Sequence, residues 1–151
     1  MPREAAPRTP GPGTLGPQSR LLVLLLRFGG VVTSAGFLAV FLPVDWMAAA
    51  HQWLGLGEFP RAPIVDYLAR SIAALYGFHG VLLLIVARRP AQYRPIVRYI
   101  GVLNVVLGLL LMFIDVHAGM PSLWTLAEGP PIVGFGGLIL YFSRALREVP
   151  N

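Results

Sequence analysis

Between residues 21 and 42 the chain runs for 22 residues with a single charged side chain, Arg27. At about 1.5 Å per residue such a run makes a helix of roughly 33 Å, the thickness of a bilayer's hydrocarbon core. A signal peptide is the rival reading, with Ala48-Ala49-Ala50 imitating a cleavage site, but signal cores run only about 7–15 residues. Two further runs follow the same rule. Residues 64–87 enclose Asp66, Arg70 and His79, and residues 99–116 carry no charge before Asp115. Segments of this kind satisfy their backbone groups in lipid only as helices or closed barrels, and their length selects helices. The expected fold class is therefore all-α, an integral membrane four-helix bundle.

The fourth run is the short one. Residues 131–142 give 12 apolar positions, roughly 18 Å, and snorkelling of Arg144 extends the span to residue 146 and about 24 Å. Two alternatives stay open: a helix that starts near Leu123 and kinks at Pro130-Pro131, and a re-entrant hairpin. Composition agrees with a membrane chain. Charged residues are 13% of the sequence, about half the share a soluble domain carries, so lipid has to cover the rest.

The segments between the runs are polar or proline-rich. Residues 1–19 hold five prolines and three glycines and almost nothing apolar, a composition that predicts a disordered tail. In residues 44–60, Asp45 is a candidate N-cap, and Trp46, Ala50 and Trp53 share one helical face before Gly55 and Gly57. That pattern predicts a short helix lying at the membrane interface in the first outer loop. In the loop at 117–130, Ser122 is a candidate cap for another helix.

Charge orients the bundle. With four spans, Arg3, Arg8, Arg20, Arg88, Arg89, Arg94, Arg98, Arg144 and Arg147 fall at one end, opposed there only by Glu4 and Glu148. The other end carries Asp45, Glu58, Asp66, Asp115 and Glu128, with Arg61 and Arg70. The positive-inside rule predicts both termini in the cytoplasm and the bacterial inner membrane as the location. Three spans would put Arg144 and Arg147 on the wrong side. The sequence has 12 arginines and no lysine, which reads as the mark of a GC-rich genome. Because the arginines flank hydrophobic runs instead of forming one basic face, no nucleic-acid partner is expected. There is no cysteine, so disulfides, thiolate metal sites and cysteine nucleophiles are excluded.

No hydrolase elbow, phosphate loop, dinucleotide fingerprint or zincin helix is present. The GFGG run at 134–137 reads as close helix packing, with Gly134, Gly137 and Tyr141 on one face. Gly30 and Ser34 in the first span, and Gly101, Asn104, Gly108 and Asp115 in the third, form similar faces expected to point into the bundle.

Ionisable groups inside the spans are the functional lead. Asp66 and Arg70 are four residues apart and can pair, and Asp115 and Glu128 approach the same depth from other helices. Together with His117 they form a predicted polar cluster at the outer end, with Arg70 as its hub. It reads either as a structural lock between helices or as a substrate or proton site. His51, His117, Asp115 and Glu128 are acceptable metal ligands, but their spacing demands no metal and none is expected. A second polar layer is predicted nearer the cytoplasm. Arg27 and His79 sit roughly 9–12 Å from the inner ends of their helices and Asn104 at about 8 Å. His79 lacks a second histidine at matching depth, so haem is not expected and a hydrogen-bonded role is. No cofactor and no catalytic residue is predicted.

The runs RSIAALYGFHGVLLL (70–84) and QYRPIVRYI (92–100), and the stretch ID-x-x-AGMP-x-x-W-T-L-x-EGP (114–130), resemble a group of small bacterial membrane proteins. In size and layout these are similar to DoxX-like and BphX-like four-helix proteins. The resemblance covers residues 20–145 and is most specific between Asp115 and Pro130. It implies no activity. Its one functional hint is the association of DoxX-like proteins with redox or quinone-linked membrane complexes. Three functions follow as expectations: a non-catalytic accessory or assembly subunit of a larger complex or homo-oligomer, a small transporter using the outer cluster, or a quinone- or lipid-binding redox-linked protein.

Overall fold

The computed structural model describes residues 16–146. Regular structure among them is helical throughout: α1 (Pro17–Ser34), α2 (Gly36–Val40), α3 (Val44–Trp53), α4 (Pro63–Val86), α5 (Arg94–Ala118) and α6 (Ser122–Ser143). Four segments are long and apolar enough to cross a bilayer: Pro17–Val40, Pro63–Val86, Arg94–Ala118 and Ser122–Ser143. The fold is an all-α, four-span membrane bundle.

The helix boundaries correct the sequence reading at both ends of the chain. The first helix begins at Pro17, where the missing N–H of proline costs nothing at a helix start. Residues 17–19 therefore belong to the bundle, and Ser19 is buried in it. The rest of the tail expected to be disordered, residues 1–15, lies outside the described residues. The last helix starts at Ser122, not at residue 131, and runs without interruption through Pro130 and Pro131. Two adjacent prolines remove the N–H groups that would bond the carbonyls of Leu126 and Ala127. Membrane helices tolerate such a loss where neighbouring groups compensate. With 22 residues the helix is about 33 Å long, so the fourth segment has the length to span.

The first span carries a local irregularity at Ala35, between α1 and α2. The Ala35 N–H is shared between the carbonyls of Val31 at 3.2 Å and Val32 at 3.3 Å. Two residues earlier, the Thr33 hydroxyl donates to the Gly29 carbonyl at 2.6 Å. Such back-bonding hydroxyls bend and tighten helices. The expected interfacial helix is present as α3, and Trp46 and Trp53 on it are exposed. Gly55 and Gly57 follow it in the left-handed region, with φ of 75° and 84°, where glycine alone is unstrained. Neither expected cap forms: Pro43 precedes α3 and Pro121 precedes α6, with no side-chain cap at either. Asp45 lies inside the first turn of α3 and pairs with Arg61 at 2.9 Å instead.

Packing follows the chain in two antiparallel hairpins. The α1–α2 span lies on α4, and α5 lies on α6, the most extensive pairing in the bundle; α1 on α6 joins the two hairpins. Glycines permit the closest approaches. A Cβ on Gly80 would come within 2.5 Å of the Ser34 hydroxyl and 2.7 Å of the Gly30 carbonyl, so α1 and α4 meet backbone to backbone. A Cβ on Gly136 would come within 2.6 Å of the Gly101 carbonyl on α5. The expected faces of α1 and α5 do point inward: Gly30 on α1, and Gly101, Asn104, Gly108 and Asp115 on α5, are buried. The expected face of α6 does not. Gly134, Gly137 and Tyr141 are exposed, with open space where a Cβ would stand on either glycine. Thr125, Gly129, Gly136, Ile139 and Ser143 face the bundle in their place.

The buried core is concentrated at the arginine end. Leu22, Leu26, Leu83, Val97, Ile100 and Ile139 are all fully buried there, from all four spans. Elsewhere large apolar side chains point outward, among them Leu24, Leu110, Phe113 and Leu126, as a lipid-facing surface requires.

Candidate functional site: a cavity between the helices

α4 and α5 make at most glancing contact, so the ring of helices is incomplete on one side. Behind that seam lies a cavity of about 540 Å³. Its walls come from all four spans, with Phe28 and Gly29 from α1, Leu75 from α4, Leu107 from α5 and Phe135 from α6 among them. It ends at Leu83, where the buried core closes the arginine end. A volume of this order falls within the usual range of small-molecule pockets, about 300–1,000 Å³.

Four side chains bring polar atoms to this apolar space: Thr33, Tyr76, His79 and Asn104. The Thr33 hydroxyl is committed to Gly29. The Asn104 amide donates to the Ile100 carbonyl at 2.8 Å, which orients its side chain along α5. Tyr76 and His79, three residues apart and so on one face of α4, are half-buried. Neither has a hydrogen-bond partner among the described residues. His79, expected to be hydrogen-bonded, thus opens on this cavity with no such partner among the described residues.

Of the expected inner polar layer, His79 and Asn104 line this one cavity and Arg27 does not. Arg27 is exposed on the opposite flank of α1, since it follows the buried Leu26 by one residue and a 100° step carries it off the packed face.

The expected outer cluster divides into two separate sets. Arg70 Nε donates to both Asp66 carboxylate oxygens, at 2.9 and 3.0 Å, and its Nη1 donates to the Val40 carbonyl at the end of α2. Its partners thus lie on its own helix and on the first span. The second set sits on α5 and α6. Glu128 accepts a hydrogen bond from Trp124 Nε1 at 2.8 Å, one turn earlier on α6. Asp115 is 5% exposed and its Oδ2 has no hydrogen-bond partner. Arg70 does not bridge the two sets: its hydrogen bonds go to Asp66 and the Val40 carbonyl, and α4 packs chiefly against α1 and α2. Glu128 does lie within electrostatic reach of Asp115 and of Tyr76, which places it on the carboxylate-end side of the cavity.

The two outer histidines have local roles. His117 Nδ1 donates to the Phe113 carbonyl at 3.1 Å with its ring 4.0 Å from that phenyl ring, and His51 Nδ1 donates to the Gly57 carbonyl at 3.1 Å. Among the described residues no group of three His, Asp or Glu side chains converges on one point as a metal site would. Sequence reasoning missed Tyr76 and Thr33. The available signal was spacing, because Tyr76 precedes His79 by three residues on the same helical face.

The chain matches no family model, no curated protein and no solved structure.

Proposed function

We propose that this protein is a non-catalytic subunit of the bacterial inner membrane that holds a lipophilic molecule with a compact polar head, of quinone or lipid type, between its helices. The carrying observation is the cavity itself. It is apolar over most of its wall, and it presents the unpartnered His79 imidazole and Tyr76 hydroxyl to its interior. An imidazole N–H and a phenol offer hydrogen bonds to a carbonyl or hydroxyl head, while Phe28, Leu75, Leu107 and Phe135 suit a hydrocarbon or isoprenoid tail. The α4–α5 seam offers such a molecule a path from the bilayer without crossing water. The resemblance to DoxX-like proteins points the same way. Charge placement supports cytoplasmic termini, with the arginine end inside.

Transport through the carboxylate–arginine cluster has less support, since Arg70 is occupied by Asp66 and the Val40 carbonyl and stands apart from Asp115 and Glu128.

Tryptophan quenching by a short-tailed benzoquinone tests the proposal. Trp124 lies one turn from Glu128, near the cavity, whereas Trp46 and Trp53 are exposed on α3. Saturable quenching in lipid nanodiscs is expected, weakened in His79→Leu and abolished by filling the cavity with Leu107→Phe, read as the loss of saturation. Linear quenching in the wild type, indistinguishable from that of the filled variant, would sink the proposal.

A further inference from the structure

Among the described residues the arginine end carries no carboxylate side chain. Every carboxylate side chain among the described residues (Asp45, Glu58, Asp66, Asp115 and Glu128) lies at the opposite end or its loops. Arg27 and Arg88 are exposed, and neither has a hydrogen bond or ion pair among the described residues. Arg27 also sits within an apolar span, where an uncompensated guanidinium costs about 2.5–3.5 kcal/mol on insertion scales.

Helix register brings these two arginines to one level. Gly30 on α1 packs against Gly80 and Leu84 on α4, and the helices are antiparallel. One turn towards the start of α1 is Arg27, and Arg88 follows Leu84 by four residues, just past the end of α4. Exposed apolar residues continue from each: Val31 one turn from Arg27, and Ile85 and Val81 one and two turns from Arg88. Two exposed guanidiniums beside the line where α1 meets α4, with exposed apolar residues running on from each, match a phosphodiester with its acyl chains lying along the helices. Arginine's planar fork suits phosphate oxygens, and its long stem lets the charge reach headgroup depth from inside the span.

We propose that the outer face along which α1 and α4 meet at the arginine end is a binding site for an anionic phospholipid of the adjoining leaflet, with Arg27 and Arg88 on its phosphate. The occupant is a lipid and not a second protein, because the guanidinium of Arg27 lies at a depth where the bilayer itself supplies the anion. The site is separate from the cavity, which α1 lines with Phe28 and Val32 on its other flank.

The test uses the full chain, delipidated in a zwitterionic detergent and titrated with phosphatidylglycerol, phosphatidylcholine or inorganic phosphate. Native mass spectrometry counts bound lipid and thermal unfolding reports stabilisation. Phosphatidylglycerol is expected to bind at one copy per chain and to raise the midpoint more than phosphatidylcholine. A basic residue near an anionic surface contributes about 1 kcal/mol, a factor of about five in affinity. Arg27→Gln with Arg88→Gln should then weaken binding about 30-fold, while Arg61→Gln, at the other end, leaves it unchanged. Arg27→Lys with Arg88→Lys keeps the charge, guards against misfolding of the glutamine pair, and should retain most of the phosphatidylglycerol preference. Equal response to the two lipids would overturn the proposal, as would a glutamine pair that binds like wild type. Stabilisation by inorganic phosphate alone would overturn the lipid as occupant.

Discussion

Replacing Gly80 by alanine adds one methyl group at the tightest approach between α1 and α4. That methyl would stand 2.7 Å from the Gly30 carbonyl oxygen and 2.5 Å from the Ser34 hydroxyl oxygen, and close to the Ser34 backbone nitrogen as well. Carbon contacts settle near 3.5–4.0 Å, so the helices must part by about 1 Å. Two of the opposing atoms are backbone, which cannot rotate away. Overpacking of this kind costs about 1–3 kcal/mol, and alanine's better helix propensity returns at most about 1 kcal/mol. Gly137→Ala isolates the propensity term, because open space surrounds Gly137. Thermal unfolding in detergent should therefore separate the two variants, with Gly80→Ala lower by about 2–12 °C at roughly 2–4 °C per kcal/mol. Gly137→Ala should equal the wild type or exceed it slightly. If the two variants melt together, the backbone contact between α1 and α4 is not part of the native packing.

Three other outcomes are expected. Arg70→Leu should lose about 1.5–3 kcal/mol, the worth of charged hydrogen bonds, against less than about 1 kcal/mol for the exposed Arg61→Leu; thermal denaturation of both checks it. In double-mutant cycles Arg70→Leu should couple with Asp66→Leu and be additive with Glu128→Leu, since of the two carboxylates Asp66 alone is paired with it. A reporter active only in the periplasm should be silent after Asn151 and active when inserted near Gly57; activity at the C-terminus would refute the proposed orientation.

The architecture was legible where hydrophobic length alone decided it. Three spans and the interfacial helix could be read directly, because each is bounded by prolines, glycines or charges. A start of the fourth at residue 131 is nine residues late, since Glu128 and the proline pair look like a loop when only hydropathy is considered; the alternative start near Leu123 lies one residue from the observed one. Its glycines misled for a related reason. α6 is apolar all round, with glycines on both sides, so periodicity could not say which side packs. The polar cluster was read from depth, and depth does not report azimuth: Arg70 and Glu128 are carried by α4 and α6, and α4 packs chiefly against α1 and α2. Arg27 and His79 were grouped on the same basis and face opposite ways. The cavity had no sequence signature, because it exists where α4 and α5 fail to meet.

That sparse seam also bears on how the chain is made. The first hairpin carries its own ion pair, Arg70 with Asp66, and its own glycine contact at Gly80. The second is held by the long α5–α6 interface. Each thus has contacts of its own when it leaves the ribosome, and the two share the α1–α6 contact and the buried cluster at the arginine end. A chain cut between Arg88 and Tyr93 and produced from two separate reading frames has what it needs to reassemble in the bilayer.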